Sequence, residues 1–170
     1  FLDTDDLWHK LKLEKQVNFL ESNKMYELVY SNYYVINMKK KKTLKKFNKT
    51  LPYGSISRKL INNYIIGVIT VLIKRKVFKK YKFDNKYQII GDFDLFFRLS
   101  QKFKIGCVQQ CLSYYRLHDS NFSKKLNIHI IEMKSWIFAN NKKLKKLGYS
   151  LTNQKFYIFK LRIKNILNNF

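Results

Sequence analysis

Hydrophobic and polar residues follow one another along the chain in short blocks that predict alternating helices and strands. The apolar pair Phe1–Leu2 predicts the end of a buried strand, and apolar positions then recur at helical spacing through residues 7–20. Asp5 or Asp6 is expected to cap this helix, and Asn23 lies near its predicted end. The chain is therefore predicted to enter its first helix at a group of carboxylates.

The middle of the chain predicts short elements of both kinds. Residues 26–37 are dense in valine, isoleucine and tyrosine, which predicts a strand or one arm of a hairpin. The lysine-rich block 39–50 predicts a solvated, mobile loop, because like charges repel and few apolar anchors are present. Short helices are expected over 57–63 and in the basic stretch 74–84, and the β-branched run 64–73 between them predicts a buried strand.

The remainder is predicted to be mainly helical around one pair of strands. An apolar stripe predicts a helix beginning at residue 91 or 92, and its first-turn acids are expected to face outward and complement the helix dipole. A strand over 105–109, a turn and a short strand over 112–117 follow. Residues 126–170 have a helical pattern with a break at 147–154.

Composition adds a size and a charge to this picture. The 170 residues suit about one domain, and 46% of them are hydrophobic, which is enough for a core. The formal net charge of +24 favours nucleic acid, an anionic membrane surface or phosphorylated small molecules, unless the lysines only fill solvated positions. Cys107 and Cys111 have no neighbouring cysteine or histidine ligands, so they match neither a zinc site nor a disulfide framework and predict a reducing, cytoplasmic setting.

Carboxylates form the first candidate site. Asp3, Asp5 and Asp6 lie within four positions, and such close like charges raise one another's pKa unless a counter-charge is present. A divalent cation supplies that charge, and oxygen ligands suit Mg²⁺ or Mn²⁺. The alternative is that one aspartate caps a helix and the others are merely solvated.

A second acidic pair and a histidine complete the candidates. Asp92 or Asp94 can act as a general base if an acceptor hydroxyl lies within hydrogen-bond reach, or it can simply complement the helix dipole. His118 can ligate a metal and Arg116 can clamp phosphate oxygens, whereas a lone loop histidine is more often a surface residue.

Taken in order, the segments resemble the family 2 glycosyltransferases, which have the glycosyltransferase A fold. The resemblance is carried by "FLDTDDLWHKLKLEKQVNFL", "ELVYSNYYVIN", "ITVLIKRKVF", "KFDNKY", "IIGDFDLFFRLSQ" and "CLSYYRLHDSNFS". It implies an α/β fold, namely a partial Rossmann-like nucleotide-diphospho-sugar transferase fold that lacks its N-terminal βαβ units. Residues 1–125 would be the C-terminal part of the catalytic domain and 126–170 a helical extension.

The resemblance also implies roles for the donor side of the site. Asp3 and Asp5 match the family's Asp-x-Asp motif, with Asp6 adjacent, and would hold Mn²⁺ or Mg²⁺ against the diphosphate of a nucleotide-sugar donor and contact its ribose. His118 matches a segment that can supply a further metal ligand, and Arg116 one that contacts the diphosphate. Trp8 is expected to pack beneath the motif.

Asp92 matches the acid that deprotonates the acceptor hydroxyl in inverting members of the family. The resemblance therefore favours an inverting hexosyltransferase acting on a glycan or lipid-linked acceptor, with retaining chemistry as the alternative. Gly91 departs from the glutamate usual before that acid, and Lys10 from a frequent proline, which puts the subfamily in doubt more than the family. Because the family's nucleotide-binding units precede the Asp-x-Asp strand, we expect this chain to be a fragment that is inactive alone.

Two other classes of protein compete with the enzyme. A basic nucleic-acid-binding protein would use the charge and the aromatic residues, but no helix-turn-helix, zinc-finger or RNA-binding motif is present, and nucleic acid is not the expected partner. A membrane-surface module would use the last segment, where five apolar residues share one face: Phe156, Phe159, Ile163, Ile166 and Phe170. That face could instead pack on the domain, and peripheral association with the anionic inner face of the membrane is also compatible with the enzyme.

Overall fold

The computed structural model describes residues 1–121 and 124–167, and within them five strands form one mixed sheet. The strands are β1 (Leu7–Trp8), β2 (Tyr26–Asn37), β3 (Lys42–Lys45), β4 (Leu72–Ile73) and β5 (Lys104–Leu117). Their order is β1-β5-β2-β3, and β4 also pairs with β2. The two long strands β2 and β5 are parallel and every other pairing is antiparallel. The long parallel pair is therefore the centre of the sheet.

Six α-helices surround this sheet in the described part of the chain. They are α1 (Lys12–Ser22), α2 (Ser57–Asn62), α3 (Arg75–Lys80), α4 (Gly91–Ser100), α5 (Leu126–Lys146) and α6 (Thr152–Leu167). None of them has the length and apolar character needed to cross a bilayer, among the residues described. The predicted α/β class with C-terminal helices is confirmed.

Helix α4 connects two hydrophobic clusters because both of its faces are buried. Leu95 and Phe96 pack with β2 and β5 beneath the sheet, whereas Phe93 and Phe97 pack with the C-terminal helices. Trp136 of α5 is 1% exposed, and its ring centroid lies 4.8 Å from that of Phe93. The first turn of α4 is thus fixed from two sides.

The beginning of the chain differs from the prediction. Phe1 and Leu2 belong to no strand, and α1 begins at Lys12 rather than at the carboxylates. Neither Asp5 nor Asp6 caps the helix, since residues 7–8 pair with β5 and an uncapped Leu11 precedes the first turn. The physical reason is that the acidic segment is held by hydrogen bonds from β5, far along the chain, instead of by its own helix.

The run 64–73 is also not the buried strand that its β-branched residues predicted. Val68–Thr70 forms a 3₁₀ turn, in which the Thr70 amide donates to the Gly67 carbonyl at 2.9 Å, and only Leu72–Ile73 joins the sheet. The turn buries most of the apolar side chains, so the sequence has the same apolar run that a buried strand would have.

Two segments that were predicted to be a turn and a loop contain strand residues. The turn predicted between 109 and 112 is a bulge inside the continuous strand β5, where pairing with β2 jumps from Val108 to Cys111. The side-chain amide of Gln109, inside this bulge, bonds both backbone groups of Leu51 at 2.9 Å. Within the predicted loop 39–50, Lys42–Lys45 forms the exposed edge strand β3. The predictions for β2, α2, α3, the start of α4 and the break between α5 and α6 are confirmed.

Candidate active site

The three N-terminal aspartates come together in one cluster. Single carboxylate oxygens of Asp3, Asp5 and Asp6 lie within 4.8 Å of one another, with Asp3 exposed, Asp5 half-buried and Asp6 buried. A backbone hydrogen bond of 3.1 Å from the Asp6 amide to the Asp3 carbonyl turns the chain so that the side chains converge. Antiparallel pairing of Leu7 with Tyr114 then fixes this turn against β5.

Only one of the two carboxylate oxygens of Asp6 has a hydrogen-bond partner. Oδ1 accepts the backbone N–H of Arg116 at 2.8 Å, while Oδ2 is buried without a hydrogen-bond partner. The pKa of Asp6 is raised to about 6, mainly by burial and also by the neighbouring charges of Asp5 and Asp3, whereas the hydrogen bond from the Arg116 amide opposes this rise. A buried carboxylate oxygen with no donor is the type of group that a cation satisfies, so the three oxygen donors fit Mn²⁺ or Mg²⁺.

His118 lies beside this cluster at the end of β5. Its Nε2 is 2.7 Å from Oδ2 of Asp5, and this hydrogen bond lowers the pKa of the Asp5 carboxyl. The other ring nitrogen is 2.8 Å from the Ser120 hydroxyl, and the backbone amide donates to Asn121 at 2.6 Å. The imidazole is therefore fixed in orientation against Asp5, although the described contact joins it to that aspartate alone among the three.

Arg116 contributes through its backbone in the described contacts. Its amide holds Asp6 and its carbonyl accepts the Asn121 side chain at 3.1 Å. The guanidinium is near enough to lower the pKa of Asp5 as a minor contribution after that of His118. The assignment of its side chain to diphosphate oxygens stays a prediction.

A cavity of about 1050 Å³ opens over the acidic cluster and reaches Asp92. Its wall includes the three aspartates, Tyr33, Gly67 and His118. A Cβ at Gly67 would lie 3.2 Å from the Tyr33 ring, so the absence of a side chain there lets the backbone approach the tyrosine. The predicted metal-binding acids and the predicted base thus share one cavity, although they are far apart in sequence.

Asp92 is half-buried in the first turn of α4, and both of its oxygens are bonded. Oδ1 accepts the Phe93 amide at 2.7 Å and Oδ2 accepts the Tyr64 hydroxyl at 3.0 Å. Burial raises the pKa of Asp92 to about 6, against the opposing effect of these donors. Asp92 also lines a second cavity, of about 600 Å³, enclosed by α2, α4, α5 and α6. It therefore stands where the two cavities meet.

Asp94 does not face outward as predicted. It is 5% exposed, and it accepts the Arg98 Nε–H at 2.8 Å and the Trp136 indole N–H at 3.0 Å. The prediction failed because α5 covers this side of the helix. Asp92 is consequently the acid of this pair that reaches a cavity.

Several polar groups that support the site were not identified from the sequence. Buried Glu132 of α5 accepts the backbone amides that precede α4, those of Gln88, Ile89 and Ile90, at 2.7, 2.9 and 3.1 Å. The available signal was an acid on the otherwise apolar face of α5. Glu132 thus anchors the segment that carries Asp92.

Trp8 and Lys12, which follow the acidic cluster in the chain, contact each other. The Trp8 indole donates to the Ile69 carbonyl at 3.0 Å, and the Lys12 Nζ lies 4.4 Å from the Trp8 ring centroid. Lys12 is 1% exposed and donates to Gln16 at 2.6 Å, and burial lowers its pKa to about 8. A lysine near the start of a helix carries no pattern that distinguishes it from its solvated neighbours.

A comparison with protein-family models finds no match. Among curated proteins, the chain is 27% identical over 118 residues to an uncharacterized glycosyltransferase of Methanocaldococcus jannaschii, covering 68% of this chain and 40% of that protein. It is 30% identical over 126 residues to UDP-Glc:alpha-D-GlcNAc-diphosphoundecaprenol beta-1,3-glucosyltransferase WfgD of Escherichia coli, covering 72% of this chain and 47% of that protein. It is 29% identical to the amylovoran biosynthesis glycosyltransferase AmsB of Erwinia amylovora, with 69% and 41% covered. The chain thus spans less than half the length of these relatives.

Proposed function

Because this chain is homologous to glycosyltransferases, we propose that it belongs to an enzyme that transfers a sugar from a nucleotide-diphosphate donor to a hydroxyl of a glycan or lipid-linked acceptor. The observation that carries the proposal is that the acidic cluster and Asp92 line the same cavity. Donor and acceptor chemistry need these two kinds of group within reach of one sugar.

On the donor side, Asp3, Asp5 and Asp6 are the residues that would hold Mn²⁺ or Mg²⁺. The ion, when bound, neutralises the negative charge that develops on the leaving diphosphate. His118 keeps the Asp5 carboxylate ionised and oriented through the 2.7 Å contact, and the Arg116 amide keeps Asp6 in place. The chain itself therefore contributes a set of carboxylate oxygen ligands that are already held in place before the nucleotide-sugar binds.

On the acceptor side, Asp92 is the general base. Its pKa of about 6 leaves it mostly ionised at neutral pH while remaining close enough to that pH to take a proton efficiently. As the acceptor oxygen bonds to the anomeric carbon, its proton passes to Asp92 and the bond from that carbon to the diphosphate oxygen breaks. Attack from the face opposite the diphosphate inverts the configuration.

A transfer assay on the native protein at its full length tests this proposal. UDP-glucose with a GlcNAc-diphosphoundecaprenol acceptor is the first pair to try, since the Escherichia coli relative is named for it. We expect Asp5→Asn to abolish metal-dependent transfer and the exposed control Glu21→Gln to retain it. Full activity of Asp5→Asn would exclude the metal assignment.

The cytoplasmic location belongs to the same proposal. Cys107 and Cys111 are both free thiols, as a reducing compartment keeps them. Peripheral contact with the inner face of the membrane would bring the enzyme to a lipid-linked acceptor.

A further inference from the structure

Helix α6 has apolar residues on two opposite faces. Ile158 and Leu161 are each 8% exposed and pack in the cluster that holds Trp136. The opposite face carries four large apolar side chains that are 54%, 56%, 44% and 56% exposed, namely Phe156, Phe159, Ile163 and Ile166. Their spacing of three, four and three residues aligns them in one stripe. This stripe does not pack on the domain, which was one alternative from the sequence, and Phe170 lies outside the described residues.

Basic side chains flank the apolar stripe on both sides. Lys155 and Arg162 lie along one side and Lys160 and Lys164 along the other, at helical spacing, and all four are exposed. The Nζ of Lys160 lies 4.6 Å from the Phe156 ring centroid, so this ammonium sits directly at the margin of the stripe. Residues 152–167 contain no acid. The helix therefore presents an apolar strip between two rows of positive charge.

The neighbouring helix α5 extends this surface. A groove of about 490 Å³ between α5 and α6 is lined by Lys134, Phe138 and Lys142 from α5, together with Lys155 and Arg162. Phe138 is 90% exposed, the highest value among the large apolar residues described. We call the stripe, its basic margins and this groove the α5–α6 surface.

We propose that the α5–α6 surface docks onto an anionic lipid bilayer, with the aromatic and aliphatic side chains entering the interface and the lysines and arginine contacting lipid phosphates. A second copy of the chain fits poorly, because the basic margins of two such stripes would face each other. A bilayer also accepts protruding side chains from two helices without a matching pocket, which Phe138 and the α6 stripe require.

Vesicle binding tests this proposal independently of sugar transfer. The purified protein is floated with phosphatidylcholine vesicles that contain about 30% phosphatidylglycerol, and with pure phosphatidylcholine vesicles, in about 0.15 M salt. We expect binding to the anionic vesicles to be at least about tenfold tighter. Phe159→Ser combined with Ile163→Ser is expected to lower that binding about tenfold.

A matched control separates binding by the α5–α6 surface from non-specific hydrophobic binding. Leu44→Ser removes a side chain of similar exposure, 54%, from the edge strand β3, and it should leave vesicle binding unchanged. Equal binding to neutral vesicles, or no effect of the α6 double variant with retained helicity, would overturn the proposal. A concentration-dependent dimer that the double variant abolishes would assign the surface to self-association instead of lipid binding. Binding of polyglutamate as tight as that of the anionic vesicles would show that charge alone attracts the ligand, and would also overturn the proposal.

Discussion

The hydroxyl of Tyr64 donates a hydrogen bond of 3.0 Å to Oδ2 of Asp92. This bond stabilises the ionised carboxylate and so lowers the pKa of Asp92, whereas burial, the larger effect, raises it to about 6. Burial and the adjacent carboxylate together raise the pKa of Tyr64 well above its ordinary value, so the phenol remains a donor throughout the working range of pH. If Asp92 is the proposed base, Tyr64 positions its carboxylate and helps to set the pH at which that carboxylate is ionised.

Tyr64→Phe is expected to move the acidic limb of the pH profile. Without the hydroxyl, the ionised form of Asp92 loses a hydrogen-bond donor and its pKa rises. The pH below which kcat/KM falls should therefore move up by about one unit. Full pH profiles of the native protein and the variant measure this shift. Tyr53→Phe, at an exposed site, is the matched control. An acidic limb that stays in place would remove Tyr64 from this role.

Asp92→Asn is expected to separate binding from turnover. The amide keeps the shape of the side chain but cannot take a proton, so kcat should fall by about a hundredfold or more. Titration calorimetry with the nucleotide-sugar donor should give nearly unchanged affinity. If donor affinity disappears together with turnover, Asp92 supports the structure of the cavity instead.

Asp6→Asn is expected to stabilise the metal-free protein in a pH-dependent way. The pKa of Asp6 in the folded state, about 6, lies above its ordinary value of 3.8, so the folded state binds the proton more tightly than the unfolded state does. Stability then falls as pH rises from about 4 to about 6, and asparagine avoids that loss. We expect a gain on the order of 2 kcal/mol at pH 7.5 and almost none near pH 4, measured by urea unfolding with chelator present. A gain that is the same at both pH values would contradict this assignment.

Glu132→Gln is expected to loosen the segment before α4. The amide retains one acceptor oxygen but turns a donor toward backbone N–H groups, leaving at least one amide unsatisfied, which costs about 2 kcal/mol. Urea unfolding with Glu21→Gln as the exposed control measures the difference. Equal midpoints for the two variants would show that the three amides find other partners.

Local patterns predicted much of the secondary structure because several elements depend on their own residues. Strand β2 is rich in β-branched and aromatic residues, and the start of α4 is marked by acids ahead of an apolar stripe. The first residues were mispredicted because their conformation depends on β5, which pairs with Leu7–Trp8 from more than half the chain away. Helical spacing through residues 7–11 was real but was overruled by that pairing.

The candidate site divides in the same way. Carboxylate spacing and the resemblance led to Asp3, Asp5 and Asp92, which the fold gathers around one cavity. The role of Glu132 depends on which face of α5 meets the loop before α4, and no local rule reports that contact. Asp94 was misjudged for the same reason, since Trp136 covers it. Burial of polar groups is decided by tertiary packing.

The contact between Asp5 and His118 joins positions 113 residues apart. Closing so long a loop costs entropy before any contact repays it, and folds built on such pairings form slowly. During synthesis, the acidic segment leaves the ribosome well before β5 exists to receive it. The cluster therefore forms only after β5 has been synthesised, and until then its three carboxylates are hydrated separately and are not held together by the fold.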